Sequence, residues 1–155
     1  MPLLDLIKFS RELVTRRNKA ALILTPDIRE QRACAAGIAA AIGVEHFDML
    51  DLFQADAKLA DNLPGFSADD LFKLIADHKA QPLLVVSGIE FLLAAWLTQD
   101  DPKQVKLKLC QQIELWERVP AFILVAQQDP VFAAYKPTRY TGDLVIQLSQ
   151  TLSLA

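Results

Sequence analysis

The sequence predicts an α/β domain with three layers, a three-layer sandwich in which about five mainly parallel strands are covered by helices on both faces. Helical segments alternate with short, largely apolar runs, and such alternation is typical of a parallel sheet. These runs are largely apolar, and two of the five are apolar at every position, as expected for strands that are buried on both faces. They lie at about 20–24, 44–52, 82–87, 121–126 and 144–148.

Length and composition indicate one folded domain. The chain has 155 residues, of which 52% are hydrophobic and 23% are charged. A chain of this length can bury a core without help from disulfides or metals. We therefore expect one α/β domain over 1–155, with an N-terminal helix at about 2–16 and the sheet core at about 20–148.

Local signals mark the elements of the first half of the chain. Apolar spacing over Leu3–Val14 predicts an amphipathic helix. After the first strand, Thr25-Pro26-Asp27 predicts a helix that Thr25 caps and that ends at Gly43. The second strand and its turn are expected over Val44–Leu52, and an irregular surface loop over Asp56–Gly65.

Similar signals continue in the second half. Ser67 and Asp70 form a capping pattern, which predicts a helix to about His78. Asp101-Pro102 predicts the start of another helix. Helices are expected at about 91–97, 101–118 and 131–135.

The charge balance argues against a protein that grips nucleic acid over its whole surface. There are 16 Lys and Arg against 19 Asp and Glu, a formal net charge of −3, whereas such proteins usually have a basic face. A local basic cluster leaves a nucleic-acid-binding accessory factor open as an alternative, with DNA reached through a larger assembly. Its members are Arg11, Arg16, Arg17 and Lys19.

Cysteine usage and hydropathy indicate a cytoplasmic protein without a membrane partner. The two cysteines lie within apolar helical patterns and suit a reducing compartment. No apolar run reaches the roughly 18 residues that a membrane span needs, and no signal peptide is expected. The two histidines and two cysteines also lack metal-ligand spacing, so we expect no metal site.

The first strand end lacks the features of a phosphate-binding loop. Ligands of parallel sheets bind where the strands end, and a P-loop needs glycines followed by Lys and Ser or Thr. Residues 25–32 contain no glycine and no lysine, while Asp27 and Glu30 would repel a phosphate. Gln31 or Arg32 takes the lysine position, so we expect no cofactor, and ATP with Mg²⁺ is not supported by the motifs.

Other strand ends carry single candidate residues. Ser87 ends the third strand, where a Walker B strand carries the acid that holds Mg²⁺, and Glu90 follows as a candidate catalytic acid. Gln127 follows the fourth strand, at the place of a polar sensor of the γ-phosphate. Arg139, just before the fifth strand, is placed like an arginine finger.

The order of elements resembles a small P-loop NTPase core of the ASCE/AAA-like type. More narrowly, it resembles the short P-loop protein of bacteriophage exclusion (BREX) defence systems, over about Ala20–Leu148. The resemblance rests on the apolar strand and I-E-F-L segment at Leu83–Leu92, the strand after Trp116–Arg118, and Pro137-Thr138-Arg139-Tyr140. It implies ATP-linked work alongside larger defence proteins.

The same comparison of motifs indicates a degenerate member of that class. The phosphate-loop glycines and lysine are missing and Ser87 replaces the Walker B aspartate, which leaves Glu90 and Arg139 as the carried-over residues. We therefore expect an interaction or regulatory subunit rather than an enzyme, with a protein partner or a second copy. The exposed faces proposed for this are the Leu3–Val14 helix and Phe91–Trp96. The alternative is an ATPase-like nucleotide switch with an atypical phosphate site at the strand ends, built from Asp27, Asp48, Glu90 and Gln127.

Overall fold

A computed structural model describes residues 3–78, 80–139 and 143–151. Within these ranges the sheet has five strands in the order β2-β3-β4-β1-β5, and every neighbouring pair is parallel. The predicted α/β class with a parallel sheet between helices is confirmed. The strands are β1 (Ala20–Thr25), β2 (Glu45–Asp48), β3 (Leu83–Ser87), β4 (Ala121–Gln127) and β5 (Val145–Gln147).

Helices cover both faces of the sheet. The first two pack on one face and the others on the opposite face, which gives the three layers. None of the helices in the described ranges combines the length and the hydropathy needed to cross a membrane. They are α1 (Leu6–Leu13), α2 (Ile28–Ile42), α3 (Met49–Ala55), α4 (Ala57–Asp61), α5 (Ala68–Ala76), α6 (Glu90–Leu97), α7 (Pro102–Glu114) and α8 (Pro130–Ala134).

The interior strand β1, which lies between β4 and β5, is buried along its whole length and contributes side chains to the cores on both faces of the sheet. Ala21 and Ile23 pack with α1 and α2, while Leu22 and Leu24 pack with the helices of the other face. Leu22, Ile23 and Leu24 have no exposed surface. Full burial of one such side chain contributes about 1.5–3 kcal/mol, so this apolar run fixes the middle of the sheet.

The start of α2 differs from the prediction. Thr25 is the last residue of β1, and its hydroxyl donates to the carbonyl oxygen of Ala126 at 3.2 Å instead of capping the helix. Asp27 is the N-cap and accepts from the backbone N–H of Arg29. Because the strand keeps Thr25 paired, the helix begins two residues later. The predicted end at Gly43, with a φ of 84°, is confirmed.

The segment between β2 and β3 is more helical than predicted. The expected strand over Val44–Leu52 ends at Asp48, whose carboxylate caps α3. The expected irregular loop over Asp56–Gly65 is wrong, because Asp56 caps α4 and a 3-10 turn follows. Two aspartates each satisfy the free N–H groups of a helix start, and the sequence reading missed both.

Most other boundaries agree with the sequence signals. Ser67 and Asp70 form the predicted capping box at the start of α5, and Asp101 caps α7, which has Pro102 in its first turn. The expected helix at 101–118 ends at Glu114, and the N-terminal helix expected at about 2–16 is shorter. Asp5 caps that helix, so it begins at Leu6.

Candidate functional site

The topology opens a crevice between the carboxyl ends of the neighbouring strands β1 and β4. α2, which follows β1, packs on one face with Ile23, while Phe132 of α8, which follows β4, packs on the other face. Adjacent strands whose connections leave to opposite faces mark the usual ligand crevice of an open parallel sheet. Thr25 and Gln127 pair at this point.

Three backbone N–H groups at the carboxyl ends of β3 and β4 donate hydrogen bonds to acceptors within the protein. The Gln127 N–H donates to Glu90 Oε2 at 3.1 Å, and the Gln128 N–H donates to the Thr25 carbonyl at 2.7 Å. The Gly88 N–H donates to Gln31 Oε1 at 3.2 Å. Free N–H groups are what a phosphate cradle offers, and these three are already occupied.

The N-terminus of α2 carries its own carboxylate. Asp27 accepts from the Arg29 backbone N–H at 2.9 Å, and the Arg29 guanidinium folds back onto the same carboxylate. The hydrogen bonds from the Arg29 side chain and then from its backbone lower the pKa of Asp27. An ionised Asp27 therefore takes the place at the positive end of the helix dipole where an anion would bind.

Gln31 and Arg32, the two residues near the P-loop lysine position, do different things. Gln31 is 3% exposed, and its Nε2 has no hydrogen-bond partner among the described residues. Arg32 lies against the end of β2, with Nε 3.6 Å from Asp48 Oδ2 and a guanidinium contact to Asp51. Gln31 thus links α2 to the turn after β3 through the Gly88 N–H. The charge of Arg32 is balanced by the carboxylates of Asp48 and Asp51.

Ser87 is part of a pair that the sequence did not reveal. Its hydroxyl lies 2.7 Å from His46 Nε2, and burial lowers the pKa of that histidine. A neutral imidazole beside a hydroxyl has the geometry of a base and a nucleophile. Ser87 has no exposed surface, however, so a substrate in solution cannot reach its hydroxyl. The histidine gives this buried hydroxyl a hydrogen-bond partner.

Gly88 brings the ends of β2 and β3 close together. Its φ is 73°, a conformation that favours glycine, and a Cβ there would lie 2.6 Å from Asp48 Oδ1. The same Asp48 oxygen accepts from the Asp51 N–H at 3.1 Å at the start of α3. The turn after β3 therefore packs closely against the turn after β2.

The structure thus brings some of the sequence candidates together and separates others. Glu90 and Gln127 meet at the crevice, while Asp27 and Asp48 are each engaged with an arginine. Arg139 lies elsewhere, because it follows α8 and precedes β5, at the edge where the strands begin. Within one chain, Glu90 lies where the strands end and Arg139 lies where they begin.

Glu114 holds the segment that carries Arg139. This carboxylate is 2% exposed and accepts from the Tyr135 hydroxyl at 2.6 Å and from the backbone N–H groups of Thr138 and Arg139 at 3.2 and 2.8 Å. Burial opposes its ionisation, but these hydrogen bonds outweigh burial, so the pKa of Glu114 lies below its ordinary value. Sequence reading missed Glu114, although Cys110 four residues earlier marks the buried face of α7.

Two members of the proposed basic cluster serve the fold. The Arg16 guanidinium donates to the carbonyls of Asn18 and Asp143, and burial lowers its pKa. Lys19 Nζ donates to the carbonyl oxygens of Val14 and Arg16 after α1. The other two members are exposed, namely Arg11 and Arg17, and Arg17 pairs with Glu117.

The two faces proposed for partner binding are largely packed inside. In α1, Leu6, Phe9 and Leu13 are buried against β1 and α2. In Phe91–Trp96, Leu92 and Trp96 are buried in the core of the other face. The apolar spacing of these segments thus marks faces that are buried in the core, and partner binding through their remaining exposed residues stays a prediction. Among residues 3–78, 80–139 and 143–151, no three His, Cys, Asp or Glu side chains group as a metal site.

We predict that Gly88→Ala lowers the free energy of unfolding by about 2–3 kcal/mol, because a positive φ is strained for alanine and its Cβ meets Asp48. Urea unfolding measures this change. Gly37→Ala is the matched control, since a Cβ there meets nothing within 4 Å and alanine favours a helix. Equal stability of both glycine variants would contradict the assignment.

We predict that Glu114→Gln lowers the free energy of unfolding by about 2–3 kcal/mol at pH 7, because an amide cannot accept from both backbone N–H groups and the phenol. Exposed Glu117→Gln is the control and should cost less than about 1 kcal/mol. Because the folded pKa of Glu114 is lowered, its stabilisation is complete above its ordinary pKa of 4.5 and is lost as pH falls through the lower folded value. The difference between wild type and Glu114→Gln should therefore shrink on acidification, as chemical unfolding at several pH values would reveal; a constant difference argues against this role.

Comparison with known proteins gives no family for the chain. No protein-family model matches it, and no curated protein matches it significantly. The function is therefore argued from the geometry of the described residues.

Proposed function

We propose that the chain is a non-catalytic interaction or regulatory subunit built on a degenerate P-loop-like fold, and a component of an anti-phage defence assembly. The observation that carries the proposal is the occupation of the strand ends by the protein's own groups. Gln31, Glu90 and the Thr25 carbonyl accept from the three N–H groups there. A domain with this edge acts by binding other macromolecules.

The assembly and location belong to the same proposal. The resemblance to the short BREX P-loop protein supports a role beside larger defence proteins, with contact to DNA through that assembly. A reducing, cytoplasmic setting is supported by Cys34 and Cys110, which are free thiols. Burial raises the pKa of the Cys110 thiol to about 12, which suits an inert core residue.

A second candidate function is an ATPase-like nucleotide switch with an atypical phosphate site. Two observations favour it. Glu90 and Gln127 meet at the crevice, and Gln31 Nε2 is a buried donor without a partner among the described residues. A ligand oxygen that reached Gln31 would satisfy this donor. Such a ligand would also have to compete with the internal acceptors at the same edge.

We predict no change in melting temperature when millimolar ATP and Mg²⁺ are added to the pure protein, with ADP and metal-free samples as controls. A ligand at about 100 times its dissociation constant stabilises the folded state by about 2.7 kcal/mol, which raises the melting temperature by several degrees. Glu90→Ala is the matched variant. A magnesium-dependent shift that Glu90→Ala removes would overturn the non-catalytic proposal and establish the nucleotide switch.

The defence role predicts a phenotype that does not depend on Glu90. In a host whose phage resistance requires the neighbouring genes, removal of this chain should restore phage plating. Complementation with Glu90→Ala should restore resistance as well as the wild type does, because a binding subunit needs no catalytic acid. Unchanged plating after removal would refute the defence role, and failure of Glu90→Ala alone would indicate catalysis.

A further inference from the structure

Charge is unevenly distributed along the chain. Residues 45–77 carry eight Asp and Glu but two Lys and Arg, namely Lys58 and Lys73. The other 122 residues carry fourteen Lys and Arg against eleven Asp and Glu. The acidic segment forms α3, α4 and α5, so the net negative charge belongs to one part of the molecule.

A groove runs along this acidic part, between α4, the 3-10 turn and α5. Its volume is about 540 Å³. Its apolar lining comes from Leu59, Phe66 and Leu74, which are partly buried. Three carboxylates also line it, those of Asp61, Asp70 and Asp77, while Lys73 is the one cation among its lining residues. We call this feature the acidic groove.

A surface of opposite charge lies near the C-terminal end of α7. Of the four large apolar side chains that are strongly exposed in the described part of the chain, Leu115 (48% exposed) and Val119 (53%) lie here. Cationic residues accompany them: Arg118 is next to Val119, and Lys136 and Arg139 line a cavity of about 350 Å³ with Leu115. We call these five residues the basic patch.

The basic patch is held in place before any partner binds. Glu114 binds the backbone of Thr138 and Arg139 and the Tyr135 hydroxyl, so the segment around Lys136 is fixed against α7. A fixed segment loses little conformational entropy on docking. An exposed apolar surface with cations therefore faces outward in a set arrangement.

The acidic groove and the basic patch lie on the same face of the sheet, because α5 packs against the end of α7 through Phe72 and Trp116, whose ring centroids are 5.8 Å apart. The helix α5 ends beside the edge strand β2, where His78 packs on Phe47 with ring centroids 4.3 Å apart. The patch includes the segment that leads into β5, the other edge strand. Glu114 holds the segment of Lys136 and Arg139 against α7, and the two surfaces have no lining residue in common, so the patch of one chain does not fill its own groove.

We propose that the basic patch of one copy docks into the acidic groove of a second copy, so that the chain assembles head to tail. The inference rests on the proposed function, a subunit that acts by binding, and names its partner. Both surfaces combine apolar side chains with charges, and their charges are opposite, which steers association and fixes orientation. Because the two surfaces differ, each added copy presents a further free surface, and growth continues until a ring closes.

Sedimentation velocity at low salt, with protein up to about 100 μM, is the test of assembly. The groove variant is Asp61→Lys with Asp77→Lys, and the patch variant is Arg118→Glu with Lys136→Glu. We expect the wild type to form species larger than dimers, and either variant to weaken self-association at least tenfold. Raising the salt from about 0.05 to about 0.5 M should weaken the wild-type assembly about tenfold as well, because ions screen exposed charges.

Matched controls change the same number of charges elsewhere on the exposed surface. Glu45→Lys with Asp100→Lys controls for the groove variant, and Arg11→Glu with Lys103→Glu controls for the patch variant. Both controls should assemble like the wild type. Circular dichroism melts of all variants verify that each pair remains folded at the temperature of the experiment.

Mixing the two variants decides between head-to-tail and symmetric contacts. The groove variant keeps a working patch and the patch variant keeps a working groove, and the two altered surfaces are again opposite in charge. An equimolar mixture should therefore form species larger than dimers although neither variant does so alone, whereas a symmetric contact would stop at dimers. A wild type that stays monomeric at low salt, or a symmetric dimer that neither variant affects, would overturn the inference. A monomer without nucleotide binding refutes this inference alone, whereas an assembly that binds ATP with Mg²⁺ refutes the proposed function alone.

Discussion

Complete burial of β1 constrains the polar groups around its end. All six of its residues are buried, and the strand is hydrogen-bonded on both sides, to β4 and β5. Buried polar groups need partners, so the Thr25 hydroxyl turns to the Ala126 carbonyl and the Thr25 carbonyl accepts from Gln128. At neighbouring turns, side chains of α2 and α6 also supply acceptors, for a partly buried N–H group of Gly88 and an exposed one of Gln127. The character of the candidate site thus follows from the position of one apolar strand.

At both ends of the strands, a side-chain oxygen of a helix accepts hydrogen bonds from the backbone of a loop. At the carboxyl edge, Gln31 and Glu90 accept backbone N–H groups of turns far away in the sequence. At the amino edge, Glu114 does so for Thr138 and Arg139. Each side chain makes a loop part of the rigid scaffold, because a hydrogen bond from a fixed helix replaces one to water. The loop backbone that carries the nearby exposed charges consequently keeps a definite position.

The sequence was informative wherever the determining signal was local. The apolar run of β1, the capping box of Ser67 and Asp70 and the glycine after α2 involve residues that lie close together in the chain, and they predicted elements that the structure confirms. The bonds that define the site join distant residues: Gln31 is 57 residues from Gly88, and His46 is 41 from Ser87. Which of these pairs meet depends on the order of strands, which no local pattern specifies. The aspartate caps of α3 and α4 are local signals that were missed, because 44–52 was interpreted as a strand with its turn and 56–65 as an irregular loop.

The internal acceptors at the carboxyl edge also bear on how the protein behaves in a cell. Many ligand-binding domains are stabilised by whatever occupies them, so their folded fraction follows the concentration of that molecule. Here Gln31, Glu90 and Thr25 supply the oxygen atoms for three N–H groups from the polypeptide itself. The contribution of these bonds to stability is the same whether small molecules are abundant or scarce. The part of the folding stability that comes from these three bonds is therefore independent of the metabolic state of the cell.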